Sequence, residues 1–307
     1  MTILILNQAE VEQLLPMKDC IEVMRDALSA LARNQMYLPL RMIVRPPEAK
    51  GLISLMPAYM SGDRSAFGVK IIGVFNDNPA IGKDSHQGAV LLISGESGEP
   101  LALMNASAIT AIRTAAVSGV ATRLLAREDA GDLAIIGSGV QARSHLAALA
   151  CVRSIRRVRI ASRSFDHAQR FVSEMKPLYP FPVEAVKSVE EAVDRADLIV
   201  TVTSSSDPIL KRDWVSAGAH INAVGSSLPH AREVDSATMA ASSLFVDRRE
   251  STLNESGDYL FALRDGAIGP DHIRAEIGEV LTGSKPGRSS IDEMTLFKSL
   301  GLAIEDS

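Results

Sequence analysis

Cysteine is scarce in this sequence. Only Cys20 and Cys151 occur among 307 residues, far apart and without metal or disulfide spacing, which excludes a disulfide framework, suits a reducing compartment and makes both thiols expected buried spectators. Aromatics make up 4% of the chain and hydrophobic residues 46%, so the cores are aliphatic, the chain is globular, and its length allows two domains. An excess of positive charge is also missing. Lys and Arg total 32 against 37 Asp and Glu, a formal charge of −5 with no dense basic run, which argues against a nucleic-acid surface and for small-molecule partners. No segment reads as long enough to span a membrane. The apolar run Ile3–Leu6 lacks a basic leader and a cleavage site, so no membrane partner is expected and the cytoplasm is the expected location.

The most informative segment present is Leu133–Ala142, LAIIGSGVQA, an apolar strand running into a glycine-rich turn that opens a helix. This arrangement seats a dinucleotide pyrophosphate. Gly137 serves the tight turn, Gly139 lets phosphate approach bare backbone, and Ala142 replaces the third glycine where helix packs on strand. The N–H groups at the helix start, from about Gly139 through Val140 to Gln141, then face the anion, with Ser138 beside them. Apolar strands and helical segments alternate downstream: Val158–Ala161, Phe165–Met175, Val183–Ala185, Val189–Arg195, Leu198–Thr203, His220–Val224 and Leu244–Val246. That rhythm predicts an α/β fold, a Rossmann-type doubly wound parallel sheet.

An α+β module precedes it. Asn7 with Glu10 reads as a capping box, and Pro16 opens a helix whose Ile21, Met24, Leu28 and Leu31 form an apolar stripe. Strands are expected at Leu38–Val44, Leu52–Met56 and Phe67–Phe75, and in the pair Gly88–Ile93 and Leu101–Met104 joined by SGESGEP. Ala108–Arg127 reads as a long helix leading into the nucleotide domain, and Thr295–Ile304 as a helix returning to the first module. The expected division is 1–112 with 291–307, against 113–290.

Three cations stand in apolar settings. Lys70, within FGVKIIGVF, has apolar residues on both strand faces, so its ammonium must snorkel outward or meet a buried anion. Arg45 falls with Arg41 and Ile43 on the face opposite Leu38, Leu40, Met42 and Val44, and Arg113 and Thr114 interrupt the helix ITAIRTAAVSG. Taken singly, each cation is compatible with a structural ion pair or a solvent-facing head. His145 is expected to pack inside the first Rossmann helix, and no metal is assigned.

Taken in order, VKIIGVFNDNP, SHQGAVLLI, ITAIRTAA, IIGSGVQA, INAVGSS, SGD at Ser256–Asp258, GEVLTG and TLFKSLGLAIED resemble the blocks of the ornithine cyclodeaminase/mu-crystallin family nearly end to end. The resemblance implies an N-terminal substrate-binding and dimerisation domain, a Rossmann domain for a nicotinamide cofactor, a site in the cleft between them, a homodimer, and a further helix past the final block. It also implies that Arg45, Lys70 and Arg113 hold the carboxylate of an amino or imino acid, Arg being capable of a bidentate clamp. Ser85 and His86 precede the strand Gly88–Ile93 in a family block, which implies that either approaches the nicotinamide or the substrate, while His86 is equally suited to satisfying a backbone carbonyl.

Two positions bear on the chemistry. Cyclodeaminases and alanine dehydrogenases of this family carry an aspartate two residues beyond the glycine of Ala223-Val224-Gly225, where this chain has Ser227. A serine is no base at neutral pH without an activator, and it is similar to what the ketimine-reductase branch carries. At the end of the second Rossmann strand an acidic residue would select NAD. Ser162 and Arg163 stand there instead and suit a 2′-phosphate, so NADP(H) is favoured, with NAD(H) left open. Thr114, Thr203 and Val224 complete the expected cofactor residues. The implied activity is reduction of Δ1-pyrroline-2-carboxylate or Δ1-piperideine-2-carboxylate to proline or pipecolate. Alternatives are an ornithine cyclodeaminase or alanine dehydrogenase with its proton shuttle moved to His230, Arg232 or Glu233, and a non-enzymatic NADP-dependent ligand-binding protein.

Overall fold

The computed structural model describes residues 2–62, 65–75 and 77–306. The chain divides into two units, Met1–Thr114 with Gly301–Ser307, and Ala115–Leu300.

The first unit holds β1 (Leu4–Leu6), α1 (Gln8–Leu14), α2 (Met17–Ala32), β2 (Met36–Tyr37), β3 (Met42–Val44), β4 (Leu52–Met60), β5 (Ala66–Val74), β6 (His86–Ser94), β7 (Pro100–Asn105) and the first part of α3 (Ala106–Leu125). Asn7 and Glu10 form the expected capping box, each side chain accepting from the other's N–H. The sheet runs β1-β7-β6-β5-β4-β2, with β3 also on β4, and only β1 pairs in parallel. Alternation along β5 turns Gly68, Lys70 and Ile72 to the buried face and Phe67 and Ile71 to the open one.

The second unit holds β8 (Asp132–Ile136), α4 (Val140–Val152), β9 (Arg157–Ala161), α5 (Phe165–Met175), β10 (Val183–Ala185), α6 (Val189–Val193), β11 (Leu198–Thr201), β12 (His220–Ala223), α7 (Ser236–Ala241), β13 (Ser243–Val246), α8 (Arg249–Glu255), α9 (Gly257–Arg264), β14 (Ile273–Glu276), α10 (Ile277–Leu281) and β15 (Thr295–Lys298). All eight strands are parallel, in the order β10-β9-β8-β11-β12-β15-β13-β14. The chain winds outward from β8 to β10, then crosses back to β11. The order therefore reverses between β8 and β11, and the crevice at their C-terminal ends is where such sheets take ligands.

Several expectations change. Thr295–Ile304 is no helix: Thr295–Lys298 is β15, fully buried and paired on one side with β12 and on the other with β13. An apolar run of this length reads alike as buried strand or buried helix, and a slot with unpaired backbone groups on both sides decides for the strand. Only Ala303–Glu305 coils, as a single 3-10 turn, and the chain passes to the first unit at Gly301 rather than at residue 291. Leu38–Val44 shortens to β3 because Pro39 lacks an N–H and restricts Leu38. Conversely, β4 continues through Pro57. Its register with β3 stops at Leu55 and with β2 resumes at Tyr59, so the proline falls where no partner needs its missing donor. α3 does reach membrane-spanning length and hydropathy, yet 72% of that window is buried within the protein, as in a core helix. Cys20 is buried as expected, but Cys151 is exposed.

The strand assignment for 295–298 is testable through Phe297, which is fully buried in β15. Phe297→Ala should lower stability by about 3–5 kcal/mol. Trp214, the single tryptophan, packs against the core of the second unit, so its fluorescence in a urea titration reads that loss.

Candidate active site

In the first unit two buried cations meet two buried carboxylates. Lys70, paired in register with Met56 and Val90, is 3% exposed, with Nζ 2.6 Å from Asp306 Oδ2. Arg113, on α3, donates from Nε to Asp306 Oδ1 at 2.8 Å and from Nη1 to Glu305 Oε2 at 2.7 Å. Arg41 joins from the segment before β3, its Nη2 donating to the Gly301 carbonyl at 3.0 Å. Gly301 has φ +78°, and a Cβ there would lie 2.7 Å from the Arg113 guanidinium, so only glycine lets the chain pass over it. Desolvation pushes the Lys70 ammonium down to about 8 against the pull of Asp306, with Arg113 and Arg41 adding to the fall. Burial pushes the neighbouring Cys20 thiol up to about 12, which keeps it protonated and unreactive. His86 opens β6, its Nδ1 3.0 Å from Ser85 Oγ, and desolvation together with the Lys70 charge holds its imidazole below the usual value.

The structure thus brings Lys70 and Arg113 together and leaves Arg45 out, exposed beyond the end of β3. Arg41, assigned to the same strand face, takes its place. Reading 38–44 as one strand concealed this, because the break at Pro39 frees Arg41 to reach Gly301. Glu305 and Asp306 lie just past the expected helix Thr295–Ile304, and nothing local in the sequence marks them as partners of Lys70 and Arg113.

In the second unit the turn after β8 has the expected form. Gly137 adopts φ +123°, and a Cβ would stand 2.5 Å from the Val202 carbonyl. Gly139 caps α4 with nothing within 4 Å of where its Cβ would be, and no side chain bonds the helix start. Ala142 is fully buried, while Val140 is exposed and Gln141 half-buried. Ser138 Oγ lies 2.9 Å from Ser162 Oγ at the end of β9, beside exposed Arg163. A cavity of about 270 Å³ adjoins the turn, lined by Ser138, Gly139, Arg143, His167, Arg170 and Phe171. Arg143 stacks 5.7 Å from the Phe171 ring centre and pairs with Glu174. An open turn, an uncapped helix start and a basic cavity fit a nicotinamide dinucleotide. Thr114, one residue past Arg113, is buried. His145 packs as expected, between Ser118 Oγ at 3.0 Å and the Gln141 carbonyl at 2.8 Å.

Ser227 is half-buried in the loop after β12. Glu233, at the far end of that loop, is fully buried and accepts from Thr201 Oγ1 (2.8 Å), Gly225 N (2.7 Å), Thr203 N (2.6 Å) and Thr203 Oγ1 (2.7 Å). Burial pushes its carboxyl up, opposed by the Thr203 hydrogen bonds. Val224 N donates to the Thr201 carbonyl. Arg232 pairs with Asp265 at 3.1 Å and lies 4.7 Å from the Phe261 ring centre, and His230 is exposed.

The chain is similar to known proteins in both sequence and architecture. The chain is 41% identical over 268 residues to ketimine reductase mu-crystallin of Mus musculus, covering 87% of this chain and 81% of that one. It is 36% identical over 304 residues to a Δ1-pyrroline-2-carboxylate reductase of Bacillus cereus, covering 99% and 93%. The structure of Thermococcus litoralis Δ1-pyrroline-2-carboxylate reductase in complex with NADH and L-proline superposes with TM-score 0.96 at 40% identity, over 99% of this chain and 94% of that one. An archaeal alanine dehydrogenase dimer with bound NAD gives 0.93 at 34%, over 100% and 93%. The family model described as ornithine cyclodeaminase/mu-crystallin matches residues 1–307, and the chain belongs to that family.

Proposed function

We propose that the protein is an NAD(P)H-dependent reductase of cyclic imino acids, converting Δ1-pyrroline-2-carboxylate or Δ1-piperideine-2-carboxylate to proline or pipecolate. The observation that carries this reading is the loop after β12. It carries half-buried Ser227 where a carboxylate shuttle would otherwise stand, while Glu233 already accepts four donors and Asp258 faces Lys298. Oxidising an amine or expelling ammonia needs a base that takes and returns protons, whereas reducing a protonated imine needs a hydride at carbon and an oriented proton at nitrogen. The named activities of the Bacillus cereus and Thermococcus litoralis relatives support the same reading.

Bound NAD(P)H supplies the hydride. Lys70 and Arg113, with Arg41 in place of Arg45, take the substrate carboxylate. These three cations against Glu305 and Asp306 give the five side chains a net positive charge suited to one more carboxylate. Ser227, directly or through water, orients the imine N–H. His86 is bonded to Ser85 and feels the Lys70 charge, which supports a role for this pair beside the carboxylate.

We further assign a preference for NADP(H). Ser162 stands where an acidic residue would bind the ribose 2′-hydroxyl, with exposed Arg163 next to it, and Arg143 and Arg170 line the cavity beside the turn. A homodimer is supported by the open face of the first sheet. Ile53 of β4 and Phe67 and Ile71 of β5 are each about 45% exposed there, with Leu55, Val69 and Leu91 on the same face by register, an area a second copy of the same sheet would cover. Two free, widely spaced cysteines suit the cytoplasm.

The direct test is loss of NADPH absorbance on adding Δ1-pyrroline-2-carboxylate, with NADH alongside. Turnover favouring NADPH is expected, and no turnover with either nucleotide refutes the reading. Because Lys70 carries its proton below about 8, KM for the imino acid should climb as pH passes that value. Lys70→Arg, whose guanidinium stays charged, should flatten the climb, and Lys70→Met should raise KM at all pH values. Ile71→Glu should convert the dimer to monomer in light scattering while leaving the circular dichroism spectrum unchanged.

A further inference from the structure

Lys298 and Asp258 are both fully buried, 2.9 Å apart between Nζ and Oδ2, and the reading above gives neither a contact with substrate. A buried ion pair is a poor source of stability, since desolvation commonly offsets its attraction. Its other contacts give it a use. Lys298 ends β15 in register with Ala223 of β12, and its Nζ also donates to the Ser226 carbonyl at 2.5 Å. Asp258 Oδ1 accepts from Glu233 N at 2.8 Å and Val234 N at 2.9 Å. One ion pair therefore grips the loop after β12 near both ends, and Glu233 ties Gly225, the second residue past β12, to Thr201 at the end of β11 and to Thr203 just beyond it. Gly257 lets Asp258 come this close, because a Cβ there would stand 1.9 Å from the Ala231 carbonyl.

The Ser226 carbonyl and the Ser227 N–H belong to one planar trans peptide. Fixing the carbonyl on the Lys298 ammonium therefore fixes the direction in which Ser227 leaves the loop. We propose that Asp258 and Lys298 are positioning residues, acting through the Ser226 carbonyl to hold Ser227 for the imine nitrogen, an inference that rests on the imine-reductase reading.

Asp258→Asn separates the two contacts of Asp258. The amide oxygen still accepts from Glu233 and Val234, while the amide NH₂ meets the ammonium. In the full-length protein, kcat for Δ1-pyrroline-2-carboxylate should fall by about tenfold to a hundredfold, with KM for NADPH within about twofold. Hydrogen–deuterium exchange of the substrate-free protein should speed up at residues 225–228 and stay slow at 233–234. Lys298→Met leaves Asp258 unpaired and is prone to misfold. The double variant Asp258→Asn/Lys298→Met removes both charges, and should fold with the same local exchange and the same loss of kcat. Wild-type kcat in Asp258→Asn and the double variant overturns the proposal, as does faster exchange spread evenly over residues 115–300. Failure of the wild-type protein to reduce the imino acid refutes the reductase reading instead, and the exchange pattern still decides whether the ion pair holds the loop.

Discussion

An ammonium buried in an apolar sheet cannot stand without an anion, and Lys70 finds its anion at the opposite end of the chain. Asp306 places one oxygen on Lys70 and the other on Arg113, so a single carboxylate sets the spacing of two cations. Those contacts depend on where the terminal segment runs. β15 is locked between β12 and β13, Leu300 N donates to Asp247 Oδ2 at 2.6 Å, and Gly301 in its left-handed conformation passes over Arg113. The nine residues from Lys298 to Asp306 therefore place a charge in each unit, an ammonium in one and two carboxylates in the other.

The parallel sheet uses carboxylates at both ends, with different surroundings. At the N-terminal ends of β8 and β11, Asp197 accepts from Gly131 N and Asp132 N and pairs with Arg127 and Arg156. It is partly open to solvent, where ion pairs add little and the backbone hydrogen bonds matter more. At the C-terminal ends, where such sheets take ligands, Glu233 and Asp258 are fully buried. There desolvation is expensive and geometry is tightly fixed, which suits loops that must hold a reacting group in one place.

Much of this was legible in the sequence because each feature has a local cause. The turn at Gly137 and Gly139, the box at Asn7 and the stripe of α2 follow from neighbouring residues alone. Lys70 was conspicuous because both strand faces around it are apolar, which left its ammonium either to snorkel outward or to meet a buried anion, and the structure has the anion. The partner itself was not legible. Nothing local relates residue 70 to residue 306, and Thr295–Lys298 has a pattern shared by buried strands and buried helices. Arg45 and Arg41 are separated by four residues on one expected face, and only the proline-induced break before β3 distinguishes them.

β5 couples two properties that would otherwise be independent. Its period of two turns Lys70 inward to Asp306 and turns Phe67 and Ile71 outward onto the open face. A slip of one residue against β4 or β6 would exchange the faces, sending the ammonium to the apolar exterior and an isoleucine toward two carboxylates. Both errors are costly, so the nine-residue register on each side of β5 is strongly specified. The apolar exterior is thus more than a surface to be covered. It is one of the constraints that keeps Lys70 facing Asp306.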